Sequence, residues 1–313
     1  MKYYFAPLEG ITGHIFRNAH RKHFPGVDKY FTPFITTNQN HRFSNREMRD
    51  IFPENNQNIN LVPQFLGKVA EEFVQAARVA GEMGYREINL NLGCPSGTVT
   101  AKGKGAGALA EPEKLDAYLD GIFGKVGILV SVKTRLGIRS AEEFGEILRI
   151  FNAYPICELT IHPRVQKDFY KNEPRLEAFE RALKESENPV CYNGDINSKS
   201  SAAKLTGRFP GVSAVMIGRG LVRNPSLINE IKGGIPADIK GLKAFHDEVY
   251  EGYRREFRNE RNAMMRMKEI WSYMIGIFDD SEEYSKKILR TSRPAEFDFL
   301  VKSVFEELKI KSQ

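Results

Sequence analysis

Short apolar runs alternate with segments of helical periodicity over the first 233 residues. Helical spacing covers residues 70–83, 111–123, 141–151 and 175–183. Strand-like runs cover residues 3–8, 29–35, 60–66, 87–93, 127–136, 156–163, 189–195 and 214–220. This alternation predicts βαβ units and a parallel sheet. About eight such runs predict an α/β fold, the closed (β/α)8 TIM barrel. The second run is the weakest, since Pro33 interrupts it.

The pattern changes from about residue 239 onward. No further strand-like run appears there, and helical spacing covers residues 242–257, 262–277, 282–291 and 294–308. The Gly-Gly-Ile-Pro stretch at 233–236 has the composition of a linker. We therefore predict a barrel catalytic domain over residues 1–235 and a small all-helical C-terminal domain over residues 240–313.

Composition narrows the class of protein. The 313 residues carry a formal charge of +6, which permits a polyanionic partner without requiring one. Three cysteines argue against a disulfide framework and for a reducing cytosol. No apolar run approaches the ~20 residues of a membrane span, and no ligand-spaced His or Cys pair predicts a metal. We expect a cytoplasmic monomer, with His14, His20 and His23 as surface residues or solvated caps.

Polar residues cluster where the predicted strands end, the position at which such barrels carry their chemistry. A buried lysine or histidine is costly unless it is paired, so several at equivalent strand ends indicate one shared site. The residues at these strand ends are Glu9, Gln64, Asn91, Cys94, Lys133, Arg135, His162, Arg164, Asn193, Asp195 and Arg219.

The last two strand ends have the features of a phosphate site. Barrels often bind phosphate with the loops after strands seven and eight. Gly194, Gly218 and Gly220 permit close approach of a ligand to the backbone, and Arg219 offers a fork of donors. The alternative is a pair of ordinary tight turns.

Cys94 differs from the other two cysteines. Cys157 and Cys191 lie in apolar strand interiors, where a cysteine is usually a small hydrophobe. Cys94 lies between a glycine and a proline at a strand end, just before a loop rich in Gly and Lys. A thiol there can donate a proton at neutral pH. The alternative is a buried structural cysteine.

Seven fragments carry a family resemblance: APLEG, VPQFLG, INLNLGCPS, VKTRLG, IHPR, YNGDI and MIGRG. Their order and spacing resemble the tRNA-dihydrouridine synthases over about residues 3–225. The resemblance implies tightly bound FMN as cofactor, NADPH as transient reductant and tRNA as substrate. Two positions depart from the family. Leu8 replaces the usual methionine, and Pro163 replaces the usual glycine or alanine, which leaves the local substrate contact and the subfamily open.

The resemblance also implies roles for single residues. Gln64 would lie near the pyrimidine edge of the flavin, and His162 would hold the ring or the phosphate. Lys133 would lie near flavin N1 and O2, where a cation stabilises the anionic reduced form. The flavin would be lined by Pro7, Leu8 and Glu9. The ribityl chain and phosphate would contact Asn193, Gly194, Asp195, Gly218 and Arg219.

The implied reaction reduces the C5–C6 double bond of a uracil in tRNA. Hydride from reduced FMN would reach C6, and Cys94 would protonate C5 as the general acid. NADPH would visit the same face before the RNA, in ping-pong order, and the uracil would leave its stack. Lys102 lies on the loop after Cys94, which could close over the base. The target nucleotide would contact Asn91, Arg135 and Arg164.

The helical tail carries 15 Lys and Arg against 14 Asp and Glu, so it is not uniformly basic. A face that tracks tRNA phosphates is one interpretation, and a solvated helix surface is the other. With the resemblance, tRNA binding is favoured. One group of cations, whose spacing predicts a single helical face, is Arg254, Arg258, Arg261 and Lys268. The second group is Lys286, Lys287, Arg290 and Arg293.

Two other functions stay open on the sequence alone. Another FMN barrel, similar to dihydroorotate dehydrogenase and acting on free pyrimidines, would share the phosphate site and the lysine. It gives no reason for a helical tail. A non-catalytic RNA-binding barrel would have no use for Cys94 and Lys133 together.

Overall fold

The computed structural model describes residues 1–40 and 43–311, which form two compact units. The first unit comprises Met1–Pro7, Asp28–Gly194 and Thr206–Met216. The second comprises Leu8–Val27, Asp195–Leu205 and Ile217–Gln313. The division into a catalytic domain up to residue 235 and a tRNA-binding domain from residue 240 stays a prediction.

The described part of the first unit is built on one sheet of ten parallel strand segments. Their order in the sheet is β3-β5-β6-β7-β8-β9-β10-β1-β2-β4. The segments are β1 (Lys2–Phe5), β2 (Lys29–Phe31), β3 (Ile35–Thr36), β4 (Leu61–Val62), β5 (Gln64–Leu66), β6 (Glu87–Leu92), β7 (Leu129–Arg135), β8 (Leu159–His162), β9 (Val190–Asn193) and β10 (Ala214–Ile217).

Two prolines explain why ten segments make eight strands. Pro33 separates β2 from β3 and Pro63 separates β4 from β5, because proline has no N–H for the ladder. β2 pairs with β4 and β3 pairs with β5, so the two interrupted strands lie side by side and the sheet closes. The Thr32 hydroxyl accepts the Gln64 N–H at 2.9 Å beside the interruptions. The predicted (β/α)8 barrel is therefore confirmed.

Helices connect the strands and follow the last one. They are α1 (His14–His23), α2 (Asn45–Ile51), α3 (Ala70–Glu82), α4 (Gly97–Thr100), α5 (Pro112–Phe123), α6 (Phe144–Asn152), α7 (Leu176–Glu185), α8 (Lys199–Arg208), α9 (Arg219–Arg223), α10 (Leu227–Ile231), α11 (Ile239–Phe257), α12 (Glu260–Met274), α13 (Glu282–Arg290) and α14 (Pro294–Glu307). Within residues 1–40 and 43–311, none of them has the length and apolar character needed to cross a membrane.

Local sequence explains several helix boundaries. Ser44 begins α2 with a capping box that includes Glu47. Pro112 occupies the first turn of α5, where its missing N–H costs nothing. The Asp238 carboxylate accepts the Gly241 N–H at 2.7 Å and caps α11. The predicted helices are confirmed to within a few residues, whereas α1, α2, α4, α8, α9 and α10 were not predicted.

The barrel interior is apolar above an ionic network at its N-terminal end. Lys29 Nζ lies 2.8 Å from Glu87 Oε2 and 3.7 Å from Glu158 Oε1. The Tyr4 hydroxyl donates to Glu158 Oε2 at 2.9 Å. Burial raises the pKa of Glu158, so this carboxylate depends on its partners. The apolar cluster comprises Tyr4, Ala6, Phe31, Val62, Cys191, Ala214 and Met216.

The second unit packs its helices around aromatic side chains. Trp271 is fully buried, and its ring centroid lies 6.2 Å from that of Phe278 and 5.6 Å from that of Phe305. This core joins α12 and α14 to the segment between α12 and α13. Among the described residues no strand follows β10, apart from one bridge between Phe278 and Ile310.

The surface position predicted for His20 is wrong. The residue lies on α1 and is fully buried, with its ring 6.3 Å from Phe245 on α11. Its Nε2 lies 3.0 Å from the Pro225 carbonyl oxygen, which can only accept, so this nitrogen carries the proton. Burial lowers the pKa of His20 to about 3, and the ring is therefore neutral.

The single helical face predicted for four cations of the tail is also wrong. α11 ends at Phe257, and Arg258 has a left-handed backbone with φ of 47° before α12 begins at Glu260. The four cations therefore lie on two helices and the turn between them. Arg254 in addition pairs with Glu260 at 2.9 Å and with Asp298 at 3.0 Å.

We predict that Lys29→Met lowers the free energy of unfolding by about 3 kcal/mol at pH 7, because it leaves buried carboxylates without their cation. The loss should be smaller at pH 5. Glu158, whose pKa is already raised, takes up a proton once Lys29 is gone. Urea denaturation at both pH values measures the effect. Lys125→Met, which removes an exposed partner of Glu71, is the control and should leave the midpoint unchanged. A loss that is equal at the two pH values would contradict the assignment.

Candidate active site

Polar residues of adjacent strands lie in register at the C-terminal end of the barrel. Asn91 on β6 pairs with Lys133 on β7, and Arg135 on β7 pairs with His162 on β8. Gln64 on β5 joins them through its hydrogen bond to Asn91. Since alternate residues of a strand face the same side, the sheet itself brings these five predicted site residues together.

A chain of buried hydrogen bonds crosses β5, β6 and β7. Ser131 Oγ accepts from Asn89 Nδ2 at 2.9 Å, and Asn89 Oδ1 accepts from Gln64 Nε2 at 2.8 Å. Gln64 Oε1 accepts from Asn91 Nδ2 at 2.8 Å. Asn91 Oδ1 then accepts the backbone N–H groups of Gly93 at 3.0 Å and of Cys94 at 2.9 Å. We call Ser131, Asn89, Gln64 and Asn91 the amide relay.

Both ends of the amide relay fix its direction. At one end the backbone N–H groups of Gly93 and Cys94 can only donate, so the Asn91 side chain must present its oxygen. At the other end the Ser131 hydroxyl donates its single proton to the Ile88 carbonyl at 3.3 Å and is left to accept. Each amide therefore has one orientation that satisfies its neighbours. The relay orients Gln64 and anchors the chain at Cys94.

The loop after β6 folds back on Cys94. The Cys94 carbonyl accepts the Ala106 N–H at 3.0 Å. Gly105 has φ of +57°, and a Cβ there would lie 2.9 Å from the Cys94 carbonyl oxygen. A Cβ on Gly107 would lie 2.5 Å from the Thr100 carbonyl oxygen. These glycines are required by close backbone approach. Cys94 itself is half-buried and free of any disulfide, and Lys102 is exposed.

Lys133 carries an uncompensated charge inside the barrel. Its ammonium has no hydrogen-bond or ion-pair partner within the described part of the chain. Burial, and then the like charge of Arg135, lower its pKa from 10.5 to about 8. Thr160, its register partner on β8, has a buried hydroxyl without a hydrogen-bond partner among the described residues. Both groups are suited to a ligand that supplies hydrogen-bond acceptors.

Arg135 braces the loops around the site. Its guanidinium is fully buried and donates to the carbonyls of Gly93 at 3.0 Å, Val165 at 2.9 Å and Phe169 at 2.8 Å. The guanidinium also lies 5.3 Å from the centre of the Tyr170 ring. Three of its five N–H donors are thus committed to the protein, and its expected contact with a target nucleotide stays a prediction.

Arg164 and His162 interact directly. Arg164 Nη1 lies 3.0 Å from His162 Nε2, and a guanidinium only donates, so Nε2 is unprotonated. The Arg164 N–H donates to the His162 carbonyl at 2.7 Å, which closes a γ-turn centred on Pro163. The fixed φ of proline suits an inverse γ-turn, so Pro163 fits its place without strain. Arg164 is also buried, with Nε donating to the Asn172 carbonyl.

The remaining predicted cofactor residues of the first unit lie at the ends of β1 and β9. Asn193 Nδ2 donates to the Met216 carbonyl at 2.8 Å. A Cβ on Gly194 would clash with the buried side chain of Tyr192, so a larger residue would displace that ring. Pro7 is half-buried.

Within the second unit, two predicted phosphate residues form an ion pair. Arg219 Nη2 lies 2.7 Å from Asp195 Oδ1. Arg219 begins α9, and Gly218 precedes it with φ of −107° and ψ of −99°. Near the start of this unit the Leu8 N–H donates to the Thr12 hydroxyl at 2.8 Å, and the Glu9 side chain is exposed. Their roles toward a cofactor stay predictions.

Sequence reasoning gave no role to Asn89 and missed Ser131 and Thr160. A signal for Asn89 was present, because the run Asn-Leu-Asn-Leu puts two asparagines on one face of β6. Ser131 precedes Lys133 by two residues and so shares its face. Thr160 had no signal, since a threonine in a strand is ordinary.

A closed (β/α)8 barrel with a thiol, a lysine and oriented amides at its C-terminal end defines a barrel enzyme. The family model described as dihydrouridine synthase (Dus) matches residues 4–296. The chain belongs to the dihydrouridine synthase family.

Curated relatives agree with this assignment. A protein of Staphylococcus epidermidis named as a probable tRNA-dihydrouridine synthase is 28% identical over 284 residues, which cover 88% of this chain and 86% of the relative. A protein of Bacillus subtilis named as probable tRNA-dihydrouridine synthase 2 is 28% identical over 275 residues, which cover 85% and 83%.

Solved structures share the fold at low identity. Morphinone reductase superposes with a TM-score of 0.53 and 11% identity, over 78% of this chain and 88% of that chain. A variant of NCR from Zymomonas mobilis gives a TM-score of 0.50 and 12% identity, over 78% and 90%. These similarities support the barrel and nothing beyond it.

We predict that Lys133→Met makes the apoprotein more stable than the wild type by about 3 kcal/mol at pH 7. A base whose pKa is lower in the folded chain destabilises the fold below that pKa, and the penalty fades between about pH 8 and 10.5. Urea denaturation of the two apoproteins at pH 7 and pH 10 measures the difference, with Lys102→Met as the exposed control. Equal stability at pH 7 would show that the charge is compensated.

The amide relay predicts that two substitutions of Asn91 differ in their effect on hydrogen exchange in the loop after β6. Asn91→Asp keeps an acceptor for the Cys94 N–H, whereas Asn91→Leu removes it. Hydrogen exchange at the amides of Gly93 and Cys94 should therefore speed up only in Asn91→Leu, and thiol labelling at Cys94 should rise with it. Equal exchange in both variants would mean that Asn91 does not anchor the loop.

Proposed function

We propose that this dihydrouridine synthase acts on tRNA and reduces the C5–C6 double bond of a uridine with FMN as cofactor and NADPH as reductant. The observation that carries the proposal is the pairing of the anchored Cys94 loop with the uncompensated Lys133 charge on neighbouring strands of one barrel mouth. The names of the curated relatives support tRNA as the substrate.

FMN fits the donors that the barrel offers. Lys133 Nζ and Thr160 Oγ1 have no partner in the described chain, and the N1 and O2 side of a flavin supplies acceptors for both. Gln64, whose second Nε2 hydrogen is left over by the amide relay, would donate to the pyrimidine edge of the same ring. When bound, FMN supplies the hydride that C6 of the uracil receives. NADPH is the reductant that the family resemblance implies.

The residues of this chain then control the proton. Cys94 Sγ would give its proton to C5, on which negative charge develops as C6 is reduced. The amide relay would hold the loop so that the thiol keeps its place while the base is bound. Lys133 would stabilise negative charge on the cofactor side, where the low dielectric strengthens its effect. Asn91, Arg135 and Arg164 would act mainly by holding the loops that surround the base.

The remaining assignments are those that the sequence predicts. His162 would contact the cofactor, and Lys102 the RNA. The FMN phosphate would be bound by Asn193, Gly194, Asp195, Gly218 and Arg219, and the ring lined by Pro7, Leu8 and Glu9. The helical region from residue 240 to 313 would bind tRNA, although its cations are divided between helices and several are paired. A monomer in the cytoplasm fits this function.

The proposed function is tested with the purified protein, FMN, NADPH and an unmodified tRNA transcript. Mass spectrometry of the digested RNA should find a uridine that has gained two hydrogen atoms. Free uracil or orotate should not replace the transcript. If these free pyrimidines reoxidise the reduced protein and the transcript does not, the substrate assignment is wrong.

We predict that Cys94→Ala is reduced by NADPH at the wild-type rate but that tRNA reoxidises it roughly 100-fold more slowly or worse, because general acid catalysis contributes at least that much. Stopped-flow absorbance of the flavin separates the two half-reactions. Cys157→Ala, which removes a thiol whose pKa is raised to about 12, is the matched control and should reoxidise normally. Normal reoxidation of Cys94→Ala would assign the proton to another group.

A further inference from the structure

The loop that follows β8 exposes two aromatic side chains. Phe169 is 43% exposed and Tyr170 is 49% exposed. Phe169 also has φ of +50° and ψ of −98°, a backbone region that a residue with a bulky side chain rarely adopts. Glycine would adopt it without strain. The strained backbone and the exposed apolar ring of this phenylalanine each lower stability, so stability does not explain why the residue is there.

A dense set of hydrogen bonds holds this strained conformation. Asp168 is buried, and its carboxylate accepts the Val165 N–H at 2.9 Å and the Asn172 side-chain N–H at 2.6 Å. The same carboxylate forms an ion pair with Arg175. Burial alone would raise the pKa of Asp168, but these donors outweigh it and lower the pKa to about 2. Arg135 adds a hydrogen bond to the Phe169 carbonyl at 2.8 Å.

The same loop is joined to the residues around the candidate active site. Gln166 Nε2 donates to the Pro95 carbonyl at 3.0 Å, directly after Cys94. The Tyr170 ring lies 6.1 Å from the ring of His162, measured between centroids. The loop that carries the exposed aromatic pair therefore contacts the residue that follows the proposed proton donor.

The charges beside the aromatic pair suit a nucleic acid. Lys167 and Lys171 are exposed and flank the pair, while the one acid between them, Asp168, is turned inward and paired. Aromatic faces interleaved with free cations are the usual means of binding unpaired nucleotides, because each base stacks and each phosphate meets a cation. A protein partner would gain little from lysines placed on both sides of two rings.

We propose that Phe169 and Tyr170 form a stacking platform for an unpaired base of the RNA, next to the target uridine, with Lys167 and Lys171 at its phosphates. This inference rests on the proposed function and adds a determinant of substrate binding to it. Asp168, Arg175 and Arg135 act as positioning residues that hold the platform in its strained form.

Three substitutions of Phe169 separate the ring from the backbone. Phe169→Ala removes the ring and keeps the strain, Phe169→Gly removes both, and Phe169→Trp keeps an aromatic face. The platform predicts that Ala and Gly each raise the KM for a tRNA transcript roughly ten-fold or more, the loss expected for one stacked base. Trp should keep the wild-type KM. All three should be reduced by NADPH at the normal rate.

Fluorescence gives a second readout that a merely structural role would not change. The sole native tryptophan, Trp271, is fully buried, so Phe169→Trp adds one exposed reporter. The transcript should quench this reporter in the absence of NADPH. The matched control is Phe52→Trp, because Phe52 has a similar exposure of 40%. Its neighbour Pro53 lines a cavity at the other end of the barrel, together with the first residues of β6 and β7. This control reporter should not be quenched.

Two results would overturn the platform. One is a wild-type KM in Phe169→Gly, which would show that binding of the transcript does not need the ring. The other is equal quenching of the two tryptophan reporters. The quenching measurement needs no turnover, so it tests the platform independently of the reaction. A protein that binds the transcript without reducing it would refute the proposed function, and the fluorescence would still show whether the platform binds RNA.

Discussion

The side-chain oxygen of Asn91 accepts two backbone N–H groups, and the orientation of the whole amide relay depends on the direction of these two hydrogen bonds. Backbone groups cannot exchange donor and acceptor roles, so the loop and the Ile88 carbonyl together decide how three side-chain amides are oriented. The register of the sheet sets the distances between these side chains, and the amide relay sets the direction of their hydrogen bonds. The backbone of the loop at Cys94 is thereby anchored to the side chains of the strands.

Two lysines at opposite ends of the barrel have opposite effects on stability. Lys29, at the N-terminal end, is surrounded by carboxylates and contributes to the fold. Lys133, near the C-terminal end, has no counter-charge among the described residues, and the burial of its charge lowers stability. Conflict between local energetics and the fold is expected where a protein binds and reacts. Since no described residue of the barrel neutralises Lys133, its charge favours a ligand that supplies hydrogen-bond acceptors.

Most of the barrel could be predicted from sequence, because strand-length apolar runs and helical spacing are local properties. The strand-end residues followed from the rule that parallel strands present their C-terminal ends together. Three features depend on contacts between distant residues and could not be predicted. The relay needs the register of β5, β6 and β7, the burial of His20 needs α1 against α11, and the committed guanidinium of Arg135 needs the loop after β8. Helix spacing also continued across the turn at Arg258, where a left-handed residue ends α11.

The interrupted strands at Pro33 and Pro63 have a consequence for the chain before it is fully folded. Until β2 and β3 meet β4 and β5, these segments are the two free edges of a curved sheet, and free edges recruit strands from other molecules. A proline in each edge removes a donor, and each uninterrupted segment is only two or three residues long. Neither edge then offers the continuous ladder of hydrogen bonds on which intermolecular aggregation depends. The prolines at the junction that closes the barrel therefore also protect the open sheet before closure.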